Sequence, residues 1–181
     1  NDYHLNTGFL STPFLLHVLL DCGYGDIAFR LLEQDTIPSW LYAITKGATT
    51  IWENWRGITP DGQITASLNH YSYGAVCDFL FSRVAGICPI FDAPGYKNFL
   101  IKPTPGGSLS YAGAKFDSPY GLIESGWRLE TGCKIKYEFT IPVNTKATVM
   151  LPGRPEDLDK VARVFEDVRY AAGRIIFRSE E

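Results

Sequence analysis

The chain has 181 residues, of which 45% are hydrophobic and 20% are charged, and its formal net charge is −3. This composition excludes an intrinsically disordered chain, and the slightly acidic balance provides no basic surface for nucleic acid or an acidic membrane. No apolar run approaches the ~18 residues that a bilayer span needs. We therefore expect neither nucleic acid nor a membrane among the partners.

The first part of the chain, residues 1–87, carries a helical pattern. Thr12 is predicted to cap a first helix with Pro13 at its first position, and Gly23 is predicted to end it. Asp26 is predicted to cap a second helix, because the apolar residues after it fall on one face. Two helices are therefore expected at the start of the chain.

Residues 36–68 are rich in Trp, Thr, Gly and polar groups, which predicts a short helix followed by a long functional loop. A stronger helix is predicted after Asn69 and is expected to end at Gly86. Its apolar residues recur at three-to-four spacing, namely Val76, Phe79, Leu80 and Val84. The loop before this helix is thus the first place where a functional site is expected.

The second part, residues 88–181, changes to a period of two. Cys133–Ile141 alternates apolar and polar residues, which predicts a half-buried antiparallel strand, and Ile123, Trp127 and Leu129 are expected to share one face of the preceding strand. Further strands are predicted at Phe99–Lys102, Thr148–Leu151, Ala162–Phe165 and Arg174–Arg178. Short strands at hairpin spacing predict an antiparallel β-sandwich, so the predicted fold class is α+β in two parts.

The four cysteines stand far apart, without the paired spacing of a zinc site. Cys22 and Cys77 lie in apolar helical stretches and Cys133 on a strand, so buried free thiols are predicted. Free thiols slightly favour the cytoplasm, but the compartment stays open because any export signal would precede Asn1.

The stretch Gly47–Gly57 has the densest concentration of chemically useful residues. Glu53 stands between Trp52 and Trp55, with Arg56 nearby. Indole rings suit the apolar faces of sugars, and a partly desolvated carboxylate can act as an acid or a base. The alternative is a Trp-rich loop packed on a helix, with Glu53 paired to Arg56. Composition alone leaves both interpretations open.

A second candidate site is Ser67–Gly74, where Asn69 and His70 could donate hydrogen bonds beside two tyrosines. The alternative is a capping Asn followed by a surface His. His4, His17 and His70 lack metal-ligand spacing, and the glycines form neither a phosphate loop nor a dinucleotide fingerprint. No metal or cofactor is therefore expected.

These motifs carry a resemblance to a known family. The run GATTIWENWRG at Gly47–Gly57, followed by DGQ and SLNHYSYGAV, is similar to the C-terminal part of the catalytic domain of bacterial α-L-rhamnosidases. The upstream runs NTGFLSTPFLLHVLLDCGYGDIAFRLL and PSWLYAITKGATT resemble the preceding helices of that domain, and AGICPIFDAPGYKNFLIKP onward resembles its connector and C-terminal β-sandwich. The resemblance covers about residues 5–152.

The resemblance implies a fold and roles for individual residues. The family consists of inverting glycoside hydrolases on an (α/α)6 barrel, so residues 1–87 would be the last barrel helices and residues 88–181 the C-terminal sandwich domain. The Glu of the TTIWE motif is the family's general base, which implies that role for Glu53. The His of the NHY motif contacts the sugar, which implies a substrate-binding role for His70. Trp52, Trp55 and Asn69 are expected to bind substrate beside them.

The resemblance also implies partners for this chain. The general acid would belong to an earlier part of the barrel, so the remainder of the catalytic domain is an expected partner together with a rhamnose-containing glycoside. A partial barrel would expose an apolar face that invites self-association. Two rival functions stay open: another (α/α)6-barrel glycosidase or lyase, and a non-catalytic carbohydrate-binding or scaffolding protein.

Overall fold

The chain forms a helical part followed by a β-sheet part, as predicted. The computed structural model describes residues 2–132, 134–157, 169–171 and 174–180. The chain divides into two compact units. The first contains residues 1–79 and 106–108, and the second contains residues 80–105 and 109–181. The first unit contains the predicted functional loop, and the second contains the strands.

The first three helices occupy the places that the sequence predicts. Helices α1 to α4 span Thr12–Asp21, Gly25–Leu32, Trp40–Thr45 and Val76–Asp78. Pro13 lies in the first turn of α1, where its missing N–H costs no helical hydrogen bond. Ser39 caps α3, because its Oγ accepts the Tyr42 N–H at 3.0 Å. No helix in the part of the chain that the structure describes has the length and apolarity to cross a membrane.

Two predicted caps were wrong by one or two residues. Ser11 precedes α1, while Thr12 is already helical and its hydroxyl donates to the Gly8 carbonyl at 2.8 Å. Tyr24 precedes α2, and Asp26 lies in the first turn of that helix. The positive end of the helix dipole stabilises a carboxylate both at the N-cap and in the first turn. Aspartate is therefore favoured at either position, and its presence does not tell the two apart.

The helix predicted after Asn69 is not a regular α-helix. A 3₁₀ turn, Ser72–Ala75, precedes α4, and a π-helical turn, Phe79–Ala85, follows it. The Gly86 N–H reaches the Phe81 carbonyl, five residues back, at 3.0 Å. Apolar spacing of three to four residues does not distinguish these turns from an α-helix, because all of them place such residues on nearly the same face.

The prediction of buried thiols was wrong for the helical cysteines. Cys22 follows the last turn of α1 and is exposed, and Cys77 in α4 is also exposed. Cys88 is half-buried, and its thiol donates to the Ser82 carbonyl at 2.8 Å. Cys133 lies outside the described residues. Apolar neighbours in the sequence therefore do not show whether a thiol lies on the buried or on the exposed side of a helix.

The second unit is a β-sandwich, as predicted. The described strands β1 to β8 span Ile87–Pro89, Asn98–Ile101, Tyr111–Ser118, Gly121–Glu130, Lys134–Thr140, Lys146–Pro152, Arg169–Ala171 and Arg174–Glu180. One sheet has the order β1-β2-β6-β8-β7 and the other the order β3-β4-β5. Phe99, Val149 and Phe177 of the first sheet share one buried cluster with Ile123 of the second. The core therefore lies between the two sheets.

One detail of the sandwich differs from the prediction. Strands β2 and β6 pair in parallel, with Asn98 opposite Lys146, whereas every other described pair is antiparallel. Ile123 and Leu129 share one face of β4, as predicted, but Leu129 is 46% exposed whereas Ile123 is fully buried. The strand predicted at Ala162–Phe165 lies outside the described residues.

Candidate functional site

The two candidate motifs lie side by side in the first unit. The Glu53 N–H donates to the Ser67 carbonyl at 2.9 Å, and the His70 N–H donates to the Ile51 carbonyl at 2.7 Å. The Thr50 hydroxyl adds a bond to the Leu68 carbonyl at 2.5 Å. These bonds join residues 50–53 to residues 67–70, so the candidate carboxylate and imidazole belong to one site.

A short reversal of the chain brings these segments together. Ile58 and Ile64 form an antiparallel bridge, and the Thr65 N–H donates to the Gly57 carbonyl at 3.0 Å. Gly62 at the tip has φ +87°, a conformation that glycine adopts without steric cost. The loop that separates the two motifs in sequence is therefore the hairpin that aligns them.

The Glu53 carboxylate is held by the main chain. Its Oε2 accepts the Ser67 N–H at 3.0 Å, and the side chain is half-buried. Among the described residues Oε1 has no hydrogen-bond partner, and Glu53 forms no ion pair with Arg56. The alternative of a Glu53–Arg56 pair was therefore wrong. One oxygen is fixed while the other can accept a proton from a bound water.

The His70 ring is fixed by a hydrogen bond and by stacking. Its Nδ1 accepts the Ser72 N–H at 3.3 Å, which places the proton of the neutral ring on Nε2. Phe9 stacks on it with ring centroids 4.8 Å apart, and Tyr71 stacks at 5.3 Å. Tyr71 is 86% exposed. The imidazole thus presents a donor at Nε2 from a rigid orientation.

Trp52 does not present a face to a sugar. Its side chain is only 5% exposed and meets Tyr42 edge to face at 6.4 Å. A Cβ atom at Gly57 would lie 2.8 Å from Trp52 Cε3, so the indole rests directly on the main chain there. The prediction that Trp52 binds substrate was wrong for this reason: the ring supports the Glu53 loop from inside.

Trp55 is half-buried and partly covered. Tyr73 stacks on the indole with ring centroids 3.7 Å apart, and Trp40 meets it edge to face at 5.2 Å. The indole Nε1–H donates to the Thr7 carbonyl at 2.9 Å. One face of the Trp55 indole is therefore covered by protein, so a sugar could stack only on its uncovered face.

Asn69 is exposed and does not cap the helix. Tyr71 precedes the 3₁₀ turn, whereas the Asn69 N–H donates to Ser67 Oγ at 3.2 Å. Within the described part of the chain its side-chain amide has no hydrogen-bond partner. The capping alternative was therefore wrong, and the amide is available to a ligand beside His70.

Sequence reasoning missed two contacts that build this site. Ser67 holds Glu53 through its main-chain N–H, and a main-chain contact leaves no mark on residue type. Phe9 comes from a distant segment and stacks on His70, and no local pattern in the sequence marks this contact. The described residues contain no group of three or more His, Cys, Asp or Glu that could hold a metal ion.

Both parts of the chain match known protein families. Residues 1–84 match the bacterial α-L-rhamnosidase 6 hairpin glycosidase domain, and residues 86–166 match the bacterial α-L-rhamnosidase C-terminal domain. An α-L-rhamnosidase of Streptomyces avermitilis is 44% identical over 160 residues, which are 86% of this chain and 15% of that protein. One from Formosa agariphila is 40% identical over 155 residues, which are 83% of this chain and 16% of that protein.

The fold agrees as well. The crystal structure of the Streptomyces avermitilis α-L-rhamnosidase complexed with L-rhamnose superposes with a TM-score of 0.88 at 40% identity, over 98% of this chain and 17% of that one. The chain thus spans about one sixth of the length of the relatives that it matches. From the two matched domains and the shared fold, we conclude that the chain belongs to the bacterial α-L-rhamnosidase family of glycoside hydrolases.

Proposed function

We propose that this chain supplies the general base of an α-L-rhamnoside hydrolysis that inverts the anomeric carbon, and that the base is Glu53. The observation that carries the proposal is the Glu53 carboxylate, held at Oε2 by the Ser67 N–H in the segment that bears His70. Oε1 would accept a proton from a water molecule as that water attacks the anomeric carbon. A second carboxyl would protonate the leaving oxygen from the opposite side of the sugar.

The second carboxyl is proposed to lie outside this chain, in another part of a longer protein. Inverting glycosidases separate their two carboxyls by about 6.5–9.5 Å, which leaves room for the attacking water. The small share of the relatives' length that this chain spans supports this division. The rest of the catalytic domain would then be an essential partner.

We infer that His70 and Asn69 bind the sugar hydroxyls. His70 Nε2 carries the proton of the neutral ring, and the exposed Asn69 amide has both donors and an acceptor. Sugar hydroxyl groups need both donors and acceptors of hydrogen bonds in fixed positions. Because the His70 ring stacks on Phe9, it supplies a donor at little entropic cost. The uncovered face of Trp55 is proposed as an apolar contact beside them.

The first test is an activity assay that also follows product configuration. We expect the full-length protein to hydrolyse p-nitrophenyl α-L-rhamnoside with inversion, detected by proton NMR of the first product formed. We expect the 181-residue chain alone to give no turnover, because it would hold one of two required carboxyls. Faster turnover of a different nitrophenyl glycoside, or retention of configuration, would instead favour another type of glycosidase.

The first unit carries a stripe of exposed apolar side chains on and just before α1. Phe14 and Val18 lie four residues apart in α1 and are 65% and 55% exposed, and Leu10, just before the helix, is 88% exposed. Residues at this spacing share one face of a helix. We propose that this stripe packs against the remainder of the catalytic domain, and that it drives self-association when that remainder is missing.

The stripe predicts a concentration-dependent association of the isolated chain. The variant Phe14→Glu is expected to shift the chain toward monomer in analytical ultracentrifugation, because a charge on the stripe is costly to bury. Phe91→Glu is the matched control, since Phe91 is 97% exposed but belongs to the other unit. Equal effects of both variants would contradict the assignment of the stripe.

A further inference from the structure

The outer face of the three-stranded sheet has a groove floored by glycines. Gly113 of β3 lies opposite Gly126 of β4, in the middle of both strands. The neighbouring row on one side holds Tyr111 and Arg128, and the row on the other side holds Lys115 and Glu124. Side chains therefore rise on both sides of a bare strip of main chain, around a volume of about 700 Å³.

Neither glycine is explained by the backbone or by packing. Neither adopts the left-handed conformation that favours glycine. A Cβ atom at Gly113 would meet only main-chain atoms, the nearest at 3.4 Å, and one at Gly126 would meet none closer than 3.6 Å. Glycine within a strand weakens it, and it commonly marks a place where a ligand or another backbone comes close. The two glycines thus leave the floor of the groove without side chains, and this lowers the stability of the sheet.

The walls of the groove carry an aromatic ring and charged groups in fixed positions. Tyr111 is 61% exposed, and the Arg128 guanidinium lies 4.9 Å from the centre of its ring. Lys115 Nζ lies 2.5 Å from Glu124 Oε1, and the Thr140 hydroxyl donates to Glu124 Oε2 at 2.5 Å. The hydrogen bond from Lys115 lowers the pKa of the Glu124 carboxyl, so the pair stays charged at neutral pH.

The charges of the groove cancel. Its lining contains two cations, Lys115 and Arg128, and two carboxylates, Glu124 and Glu138. A groove of this kind attracts neither a polyanion nor a polycation. It offers a ring for an apolar face and several fixed donors and acceptors for hydroxyl groups, which is the combination that a neutral sugar requires.

We propose that this groove is a saccharide-binding site, separate from the Glu53 site, that takes a neutral sugar unit with one face on Tyr111 and its hydroxyls on Arg128, Glu124 and Glu138. The glycine floor lets the sugar approach the main chain of the sheet. Such a site would hold a branched or polymeric substrate to the enzyme without taking part in bond cleavage. It shares no residue with the proposed catalytic site.

The test is a titration of the isotope-labelled 181-residue chain, followed by amide chemical shifts. The probes are L-rhamnose, cellotetraose, xylotetraose and maltotetraose, each up to about 10 mM, which would saturate a site with a Kd of 1 mM. We expect at least one of them to shift the Gly113 and Gly126 amides in a saturable way. We expect Glu53→Gln to leave these shifts intact, so the result is independent of the proposed catalytic role.

The variant Gly113→Thr/Gly126→Thr fills the floor of the groove. It is expected to abolish the saturable shifts of the groove amides while keeping or raising the melting temperature, because threonine favours strands more than glycine does. Tyr111→Ala is expected to weaken binding by about threefold to tenfold through loss of the ring. Lys134→Thr, on an exposed strand position outside the groove, is the control and should bind like the unmodified chain.

Three results would overturn the proposal. One is the absence of saturable shifts at Gly113 and Gly126 with all four probes. Another is a shift of the same amides with protein concentration alone, which would identify a second copy of this chain as the occupant. Retention of sugar binding by the folded double threonine variant would likewise exclude the glycine floor as the site.

Discussion

Replacing Glu53 with Gln in the full-length protein is expected to lower kcat for an α-L-rhamnoside by about 10²–10⁴, the range that a positioned general base contributes. Gln keeps an oxygen that can accept the Ser67 N–H, so the hairpin and the sugar contacts should persist. KM is therefore expected to stay nearly unchanged.

Glu33→Gln is the matched control for this experiment. The Glu33 Oε1 also accepts a main-chain N–H, from Ser108 at 2.7 Å, so the substitution makes the same chemical change at a similar contact. It is expected to leave both kcat and KM unchanged. Wild-type turnover of the Glu53→Gln protein would remove Glu53 from the mechanism, whatever the control shows.

Replacing Gly86 with Ala is expected to destabilise the second unit by about 2–5 kcal/mol, the sum of a left-handed backbone cost and an overpacking cost. Gly86 has φ +93°, and an added Cβ would lie 2.5 Å from Pro103 Cα and 2.6 Å from the Lys102 carbonyl carbon, with Pro103 N closer still. These are main-chain atoms, which cannot turn aside as a flexible side chain can. The measurement is the free energy of opening of β2, from hydrogen exchange of its amides.

Gly23→Ala separates the two costs. Gly23 has φ +85°, but nothing lies within 4 Å of the position that a Cβ would take. Only the backbone cost of about 1–2 kcal/mol is therefore expected, measured by exchange of the α1 amides. A loss at Gly86 no larger than the loss at Gly23 would show that the main chain near Pro103 can move away at little cost.

Part of the candidate site could be predicted from residue types alone. The carboxylate of Glu53 among indoles and the His70 of the neighbouring motif both stand out in the sequence, and the hydrogen bonds of the structure join their segments. Trp52 shows the limit of this reasoning, because residue type does not tell which aromatic ring faces a ligand and which faces the interior. Only its 5% exposure decides that.

The strands, too, could be predicted only in part. The period of two in β5 predicted its half-buried face, because alternation along a strand is a local property, and the alternating burial of Lys134–Thr140 agrees with it. The parallel pairing of β2 with β6 was not predicted, since the direction of a partner depends on the path of the chain between them. Residues 102–145 separate the two strands and include all of the other sheet.

The amino-acid sequence by itself determined the α+β class, the order of helices before strands, the family and the two motifs of the candidate site. These depend on local spacing and on residue types that carry chemistry. The tertiary structure alone decided that Ser67 holds Glu53, that Phe9 stacks on His70, and that two glycines meet across β3 and β4. Each of these contacts joins positions that are distant in sequence or acts through the main chain, and neither kind of contact changes the local pattern of residues.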